Sequence, residues 1–466
     1  MKKDMHMSIL KYVLQLAVIT CVLTSCNVIR PYQSPNLATS GLYRDHHDID
    51  STGLGQMSWK DLFTDSLLTD LISQGLENNL DLQMAYTRIQ QAEAYFLQSR
   101  AAFMPLVNAD LGITRSKLSE AQGFGIRTHA TQYQLGLSAA WEADIWGKLR
   151  SSKRAAMASF LQSQAGAQAV QTGLVAGIAN YYYVLMALDE QLAITEQTVM
   201  NWDTTVSIMR ELKESAIVTE AAVVQSEAQR YVAEVTIPDL RQSIRETENA
   251  LSILLGMPPE KIERGQLDQQ EITDDLATGV PALLLANRPD VLQAELNLRY
   301  YFEMTNVART YFYPALNVSG SAGFSALMLR DFINPASLAA SIGASLTQPV
   351  LNRRINKTRL EVAEAQQQEA LLNFRNTLLV AGQEVSDALS LHQTAIDKMQ
   401  IRDNQLVALQ KSVDYSQELL QNGFANYNEV ITARQSMLQA ELGSVNDQLQ
   451  RFQAIINLYR ALGGGR

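Results

Sequence analysis

The stretch YFYPALNVSGSAGFS, residues 311–325, settles into alternation midway. Leu316, Val318, Gly320, Ala322 and Phe324 alternate with Asn317, Ser319, Ser321, Gly323 and Ser325. A period of two, with one apolar face and one small polar face, predicts a strand. Three further runs share the pattern. Val107, Ala109, Leu111 and Ile113 alternate with Asn108, Asp110, Gly112 and Thr114. Tyr133, Leu135, Leu137, Ala139 and Trp141 alternate with Gln132, Gln134, Gly136 and Ser138, and Leu338–Leu346 repeats the theme. The predicted strands are 106–116, 128–144, 315–325 and 338–348. Each is long enough to cross a bilayer as a tilted strand, which takes about 9–11 residues. No Lys or Arg stands among these apolar positions, where one would cost about 2–4 kcal/mol at mid-membrane. Four strands leave open edges, which lipid does not tolerate, so the reading expects other copies of the chain to complete a barrel. Two copies give eight strands and a filled interior; three give twelve and an opening.

The rest reads mainly as helix. From Arg353 to Gln421 there is no Pro and one Gly, Gly382. Leu371, Leu378, Val385, His392, Met399, Leu406, Val413 and Leu420 recur every seventh residue. Phe374, Ala381, Ala388 and Ala395 occupy the companion position. This is a coiled-coil seam with small residues that permit close approach. At about 1.5 Å per residue such a helix is on the order of 100 Å long. A counterpart runs from about Lys148 to Ser215. Shorter return helices are predicted near Val223–Leu255 and Tyr427–Ala461, with further helices near Asp81–Ala102 and Pro289–Tyr311 that complete the return by end-to-end stacking.

The two halves are a duplication. RAAFMP and RTYFYP begin 209 residues apart, at Arg100 and Arg309, and LVAG recurs at Leu174 and Leu379. The first structural repeat is placed at 61–256, an inter-repeat equatorial segment at 257–280, and the second repeat at 281–466. Ahead of them, Lys2, Lys3 and Lys11 precede an apolar run that ends in LTSC at Cys26. The run is too short to span a bilayer, so 1–25 reads as a lipoprotein signal peptide and Cys26 as the lipidation site. Residues 26–60, rich in Pro, Ser, Gly and Asp, read as a lipid-anchored linker without order.

Composition narrows the function. Of 466 residues, 47% are hydrophobic and 18% charged, with a formal net charge of −10 that disfavours nucleic acid as a partner. With Cys21 removed with the signal, no disulfide framework or cysteine metal site remains. The chain contains no P-loop, H-E-x-x-H or G-x-S-x-G motif, so neither an enzyme nor a cofactor is expected. Arg288-Pro289-Asp290 reads as a helix start, with Pro at the first position and an acid beside the N-terminus. Trp141 and Trp146 read either as a membrane-interface girdle or as packing where strand meets helix.

Several motifs carry a resemblance. NRPDVLQAE (287–295), WEADIWGKLRSSKRAA (141–156), LTQPVLN (346–352), NGFANYNEVITARQSMLQAE (422–441) and the paired RAAFMP and RTYFYP occur in order. In these the chain resembles the outer membrane factor family, the TolC-like ducts, in its lipoprotein branch. The resemblance implies a mainly α protein with a transmembrane β portion. Three chains would form an α-barrel of long coiled-coil helices beneath a shared 12-stranded β-barrel. It implies a passive exit duct of a tripartite efflux pump, anchored in outer membrane lipid with its α-helical tunnel in the periplasm. A periplasmic adaptor protein and an inner membrane transporter of the RND type would be its partners. The alternatives are a duct for ABC-driven protein or peptide secretion, or a lipid-anchored coiled-coil scaffold without a pore. The resemblance also places a periplasmic gate at the long-to-short helix turns, at Gly423, Asn426, Tyr427 and Glu429. In the first repeat, Ala216 stands where relatives have Gly and Ala222 where an acid is common, with Glu220 as the substitute acid.

Overall fold

The computed structural model describes residues 28–36, 42, 44, 57–117, 119, 129–270, 288–424 and 426–464. The signal peptide, Cys26, most of the linker and residues 271–287 lie outside them. In chain order the helices and strands are α1 (Trp59–Leu62), α2 (Ser66–Asn78), α3 (Leu80–Ala101), β1 (Leu106–Lys117), β2 (His129–Ala143), α4 (Lys148–Glu214), α5 (Glu220–Glu234), α6 (Thr236–Leu254), α7 (Pro289–Thr310), β3 (Ala315–Ala326), β4 (Leu338–Thr347), α8 (Ile355–Gln421) and α9 (Tyr427–Ala461). The chain divides into two compact units.

The first unit draws on Gln90–Leu161, Glu295–Leu372 and the described part of Met1–Pro35. It holds one antiparallel sheet in the order β1-β2-β3-β4, so the central pair, β2 with β3, joins the two repeats. Register aligns like residues across the middle of the sheet. Leu111, Leu135, Phe324 and Leu338 lie in one cross-strand row, and Ala109, Leu137, Ala322 and Ala340 in another. The opposite face carries the row Asn108, Ser138, Ser321 and Ser341. There Ser138 donates to Asp110 at 2.7 Å, and the hydroxyls of Ser321 and Ser341 lie 2.8 Å apart. At the centre Gly136 faces Gly323, where a Cβ on Gly323 would collide with the Leu135 carbonyl oxygen. Large side chains on the apolar face are uncovered: Leu111 is 75% exposed and Ile342 87%. Among the described residues, no helix is long and apolar enough to cross a membrane.

The second unit draws on Asn36–Ile89, Gln162–Ala294 and Asn373–Arg466. Its seam is the heptad face. Ala381, Val385 and Ala395 are fully buried, and Leu378, Ala388, Val413 and Leu420 are nearly so. Around them a core forms from Phe63, Ile72, Tyr182, Tyr183, Phe452 and Tyr459. Tyr183 stacks on Phe452 with centroids 4.5 Å apart. Helices α1 and α2 lie within and just after the stretch read as linker, and the sequence reading missed both. Ser58 caps α1 and Asp65 caps α2. Asp65 also accepts from the Tyr182 hydroxyl at 2.6 Å, which ties α2 to the long helix α4. Burial, then this hydrogen bond, pushes the Tyr182 phenol above its ordinary range.

Two expectations are corrected. The return helix read as Val223–Leu255 is broken at Val235 into α5 and α6. Pro238 has no N–H to offer Glu234, and its ring crowds the carbonyl four residues back. The linker is not without order at its start. Residues 28–36 form no helix or strand, but the segment is docked: the main chain of Arg30 exchanges two hydrogen bonds with the Asn306 amide, at 3.1 and 2.9 Å.

Candidate functional site

The two long-to-short helix turns close in the same way. Ile217 N–H donates to Leu212 O and Ala216 N–H to Lys213 O, both at 2.9 Å. In the second repeat Phe424 N–H donates to Leu419 O at 2.9 Å and Gly423 N–H to Leu420 O at 3.1 Å. These pairs are Schellman caps, which need a left-handed residue just past the helix. Gly423 supplies it with φ of 74°, and Ala216 is held there at φ of 57°. Nothing lies within 4 Å of a Cβ built on Gly423, so only backbone conformation selects glycine. Ala216→Gly is therefore expected to stabilise, and Gly423→Ala to destabilise, each by about 1 kcal/mol. Chemical denaturation of the detergent-solubilised protein reads both, and shifts of the same sign would contradict the assignment.

Beyond the caps the two turns diverge. Asn426 caps α9 with its side chain, accepting from Asn428 N–H, whereas Thr219 caps α5 with no side-chain bond. Glu429 is exposed in the first turn of α9, and its side chain makes no hydrogen bond or ion pair among the described residues. Glu220 is exposed too, but it is ion-paired with Lys213 across the turn. Its charge is thus matched locally, while that of Glu429 is not. Ala222 stands 207 residues before Glu429 and is fully buried, in a cluster with Met209, Val223, Leu420 and Val430. A carboxylate there would be buried unpaired, a costly placement that explains the alanine. Tyr427 is half-buried and packs against this cluster and against a second one of Val199, Trp202, Ala233 and Ile431.

The two tryptophans separate. Trp146 is half-buried where β2 gives way to α4; its Nε1–H donates to Pro314 O at 2.8 Å and its ring lies 4.9 Å from that of Tyr313. Trp141 lies in register with Val318 on the sheet's apolar face, is 40% exposed, and donates to Phe103 O at 2.9 Å. Asp144 starts α4, accepting from the backbone N–H of Leu149 and Arg150. Cys26 lies outside the described residues. No group of His, Cys, Asp and Glu suited to a metal occurs among the described residues.

Two joints carry residues whose role no local pattern announced. Asn79 donates from its side chain to Leu254 O at 2.9 Å and accepts from Leu82 N–H, so the end of α6 meets the start of α3. Arg288 donates to Ala461 O at 2.9 Å, so the end of α9 meets the start of α7. Arg288 is 5% exposed and also grips Asp290 and Glu384, each at 2.7 Å. The helix start read at Pro289 is present, with Asp290 accepting from Val291 N–H. The expected end-to-end stacking is made by one amide in the first repeat and one guanidinium in the second.

Comparison with known proteins agrees with this geometry. The cation efflux system protein CusC of Escherichia coli is 27% identical over 465 residues, covering 96% of this chain and 97% of that protein. The probable outer membrane lipoprotein SilC of Salmonella typhimurium is 26% identical over 412 residues, covering 87% and 88%. The solved structure of the outer-membrane channel OprN shares the fold, with a TM-score of 0.86 and 24% identity over 94% of this chain and 99% of that one. The family model for outer membrane efflux proteins matches residues 71–257 and 280–464, both repeats, and the chain belongs to that family.

Proposed function

We propose that three copies of the chain assemble into an exit duct that spans the outer membrane and receives substrates from a periplasmic adaptor and an inner membrane transporter of the RND type. The sheet is the observation that carries this reading. Its outer strands β1 and β4 each pair on one side only, and the middle of one face is apolar, with Leu111, Leu137 and Ile342 exposed. In water such an edge and face invite aggregation; in lipid the edge must be paired. Twelve strands from three chains would pair every edge and leave an interior lined by the small polar face. Trp141, at the end of the apolar face, fits an interfacial anchor. Cys26 is assigned a lipid anchor in outer membrane lipid, in keeping with the name of SilC.

The turns form the periplasmic end in this reading. Ile217 and Phe424 hold equivalent places in the two caps and are 51% and 83% exposed. Apolar side chains presented at both turns suit a protein partner better than water. Glu429, Asn426, Tyr427, Gly423 and Glu220 are assigned to the gate in two roles. Glu429 contributes unmatched charge, which three copies concentrate near one axis. Gly423, Asn426, Tyr427 and the Lys213–Glu220 pair shape the turns.

Purified protein in a planar bilayer is expected to give stepwise conductance that favours cations. Glu429→Ala is expected to shift the reversal potential in a salt gradient toward the anion side, because a ring of carboxylates attracts cations. Absence of any conductance from intact oligomers would sink the duct reading. An unchanged reversal potential would remove Glu429 from the constriction and leave the duct.

A further inference from the structure

The N-terminal segment meets a built receptor. Asn306 is fully buried on α7, and all four valences of its amide are used. Its Oδ1 accepts from Arg30 N–H at 3.1 Å and from Arg309 at 3.2 Å. Its Nδ2 donates to Arg30 O at 2.9 Å and to Glu303 Oε2 at 3.3 Å. Two bonds therefore face the incoming main chain and two face a fixed frame. Glu303 is 1% exposed and is held by Arg154 through two bonds, at 2.6 and 3.0 Å. The amide imitates a peptide group in a β ladder, donating and accepting with one residue of the guest chain.

Neighbouring contacts fix the direction of the guest. Tyr32 sets its ring edge against Phe302 at 5.4 Å, with the Arg299 guanidinium over its face at 5.8 Å. On the other side of Arg30, Ile29 packs on Gly147, where a Cβ would come within 2.7 Å of Ile29 Cδ1. Gly147 has φ of 79° and lies immediately before α4. Cys26 precedes Val28 by two residues, which span at most about 7 Å.

We infer that Asn306, oriented by Arg154, Glu303 and Arg309, forms a main-chain binding site for residue 30 that holds the lipidated N-terminus beside the start of the first long helix. The inference rests on the lipid-anchor reading of Cys26 and makes the segment from Val28 onward a fixed strut. Recognition is of backbone, so the side chain of residue 30 is dispensable. Arg30 lies close enough to Arg309 to help hold that guanidinium below its ordinary range, after the larger effect of burial. Asn306 is a positioning residue, since it touches no substrate.

The test uses the full chain, extracted as oligomers from membranes, with Ile29→Cys as a reporter of docking. Maleimide should label the Ile29→Cys thiol slowly, and at least tenfold faster when Asn306→Asp removes the donor and adds charge beside Glu303. Arg30→Ala should leave the slow rate unchanged. A spin label on Gln33→Cys gives an independent readout that leaves Ile29 in place: Asn306→Ala should turn a restricted spectrum into a mobile one. Equal labelling rates and equal spectra with and without Asn306 overturn the site. Radiolabelled palmitate incorporation, together with maleimide labelling of the chain without added cysteines, tests the anchor separately. No palmitate and a reactive Cys26 overturn the anchor, whatever the Ile29→Cys reporter shows.

Discussion

Arg288→Ala is expected to destabilise the protein by about 3–5 kcal/mol, the usual cost of removing one partner from a buried ion pair. The side chain is 5% exposed and serves three acceptors: Asp290, Glu384 and the terminal carbonyl of Ala461. Its loss strands the Asp290 carboxylate, leaves Glu384 to Arg460 alone, and opens the joint between α9 and α7. Arg288→Lys should recover only part of the loss, because an ammonium cannot fork between Asp290 and a backbone carbonyl. Unfolding in denaturant, followed by circular dichroism in detergent, measures both, and a loss under about 1 kcal/mol for the alanine variant would refute the joint's importance. The same site sets an acid limit. Burial raises the Asp290 carboxyl, but the hydrogen bond and charge of Arg288 outweigh it and hold the group below its ordinary range. A depressed carboxyl contributes stability above its unfolded value and loses it as pH falls through the lower folded value. The native protein should lose this increment in acid, and Arg288→Ala should have little of it to lose.

Asp447→Ala is the second large effect expected. Asp447 of α9 is 1% exposed and sits between Lys398 and Arg402 of α8, with Arg402 Nε at 3.0 Å. Gly443, one turn earlier, leaves room for the Arg402 guanidinium, which a Cβ would approach within 2.9 Å. The positions 207 residues earlier are Gln191, Thr195 and Leu240, and the pair beside them, Glu196 with Arg241, is exposed rather than buried. Truncation should cost about 3 kcal/mol or more, the lower end of the range for a broken buried pair. Replacing all three by apolar residues of similar size, Lys398→Met, Arg402→Met and Asp447→Leu, should restore most of the loss. A triple variant no more stable than Asp447→Ala would show that the charges do more than hold the helices together.

The elements were legible from local period. Alternation around Leu316 and Val107 marked the strands, and the heptads through Val385 marked the long helix, because each is written in the spacing of neighbours along one element. Duplication was legible for the same reason, as repeated motifs. The resemblance located the helix turn at Gly423, but the positive φ of Ala216 was not legible, since alanine carries no mark of it.

The chain's own letters were enough for the two-faced strands, the long helices and the family, but not for α1, α2 or the break at Val235. How the ends meet emerged only in the folded molecule. Asn79 reaches Leu254, Arg288 reaches Ala461, and Asn306 reaches Arg30, across 175, 173 and 276 residues. Periodicity reports which face of an element is buried; it is silent on which distant carbonyl a single buried amide or guanidinium will find. Those partners are chosen by where folding leaves an unsatisfied backbone group, and a polar group buried without a partner is too costly to keep.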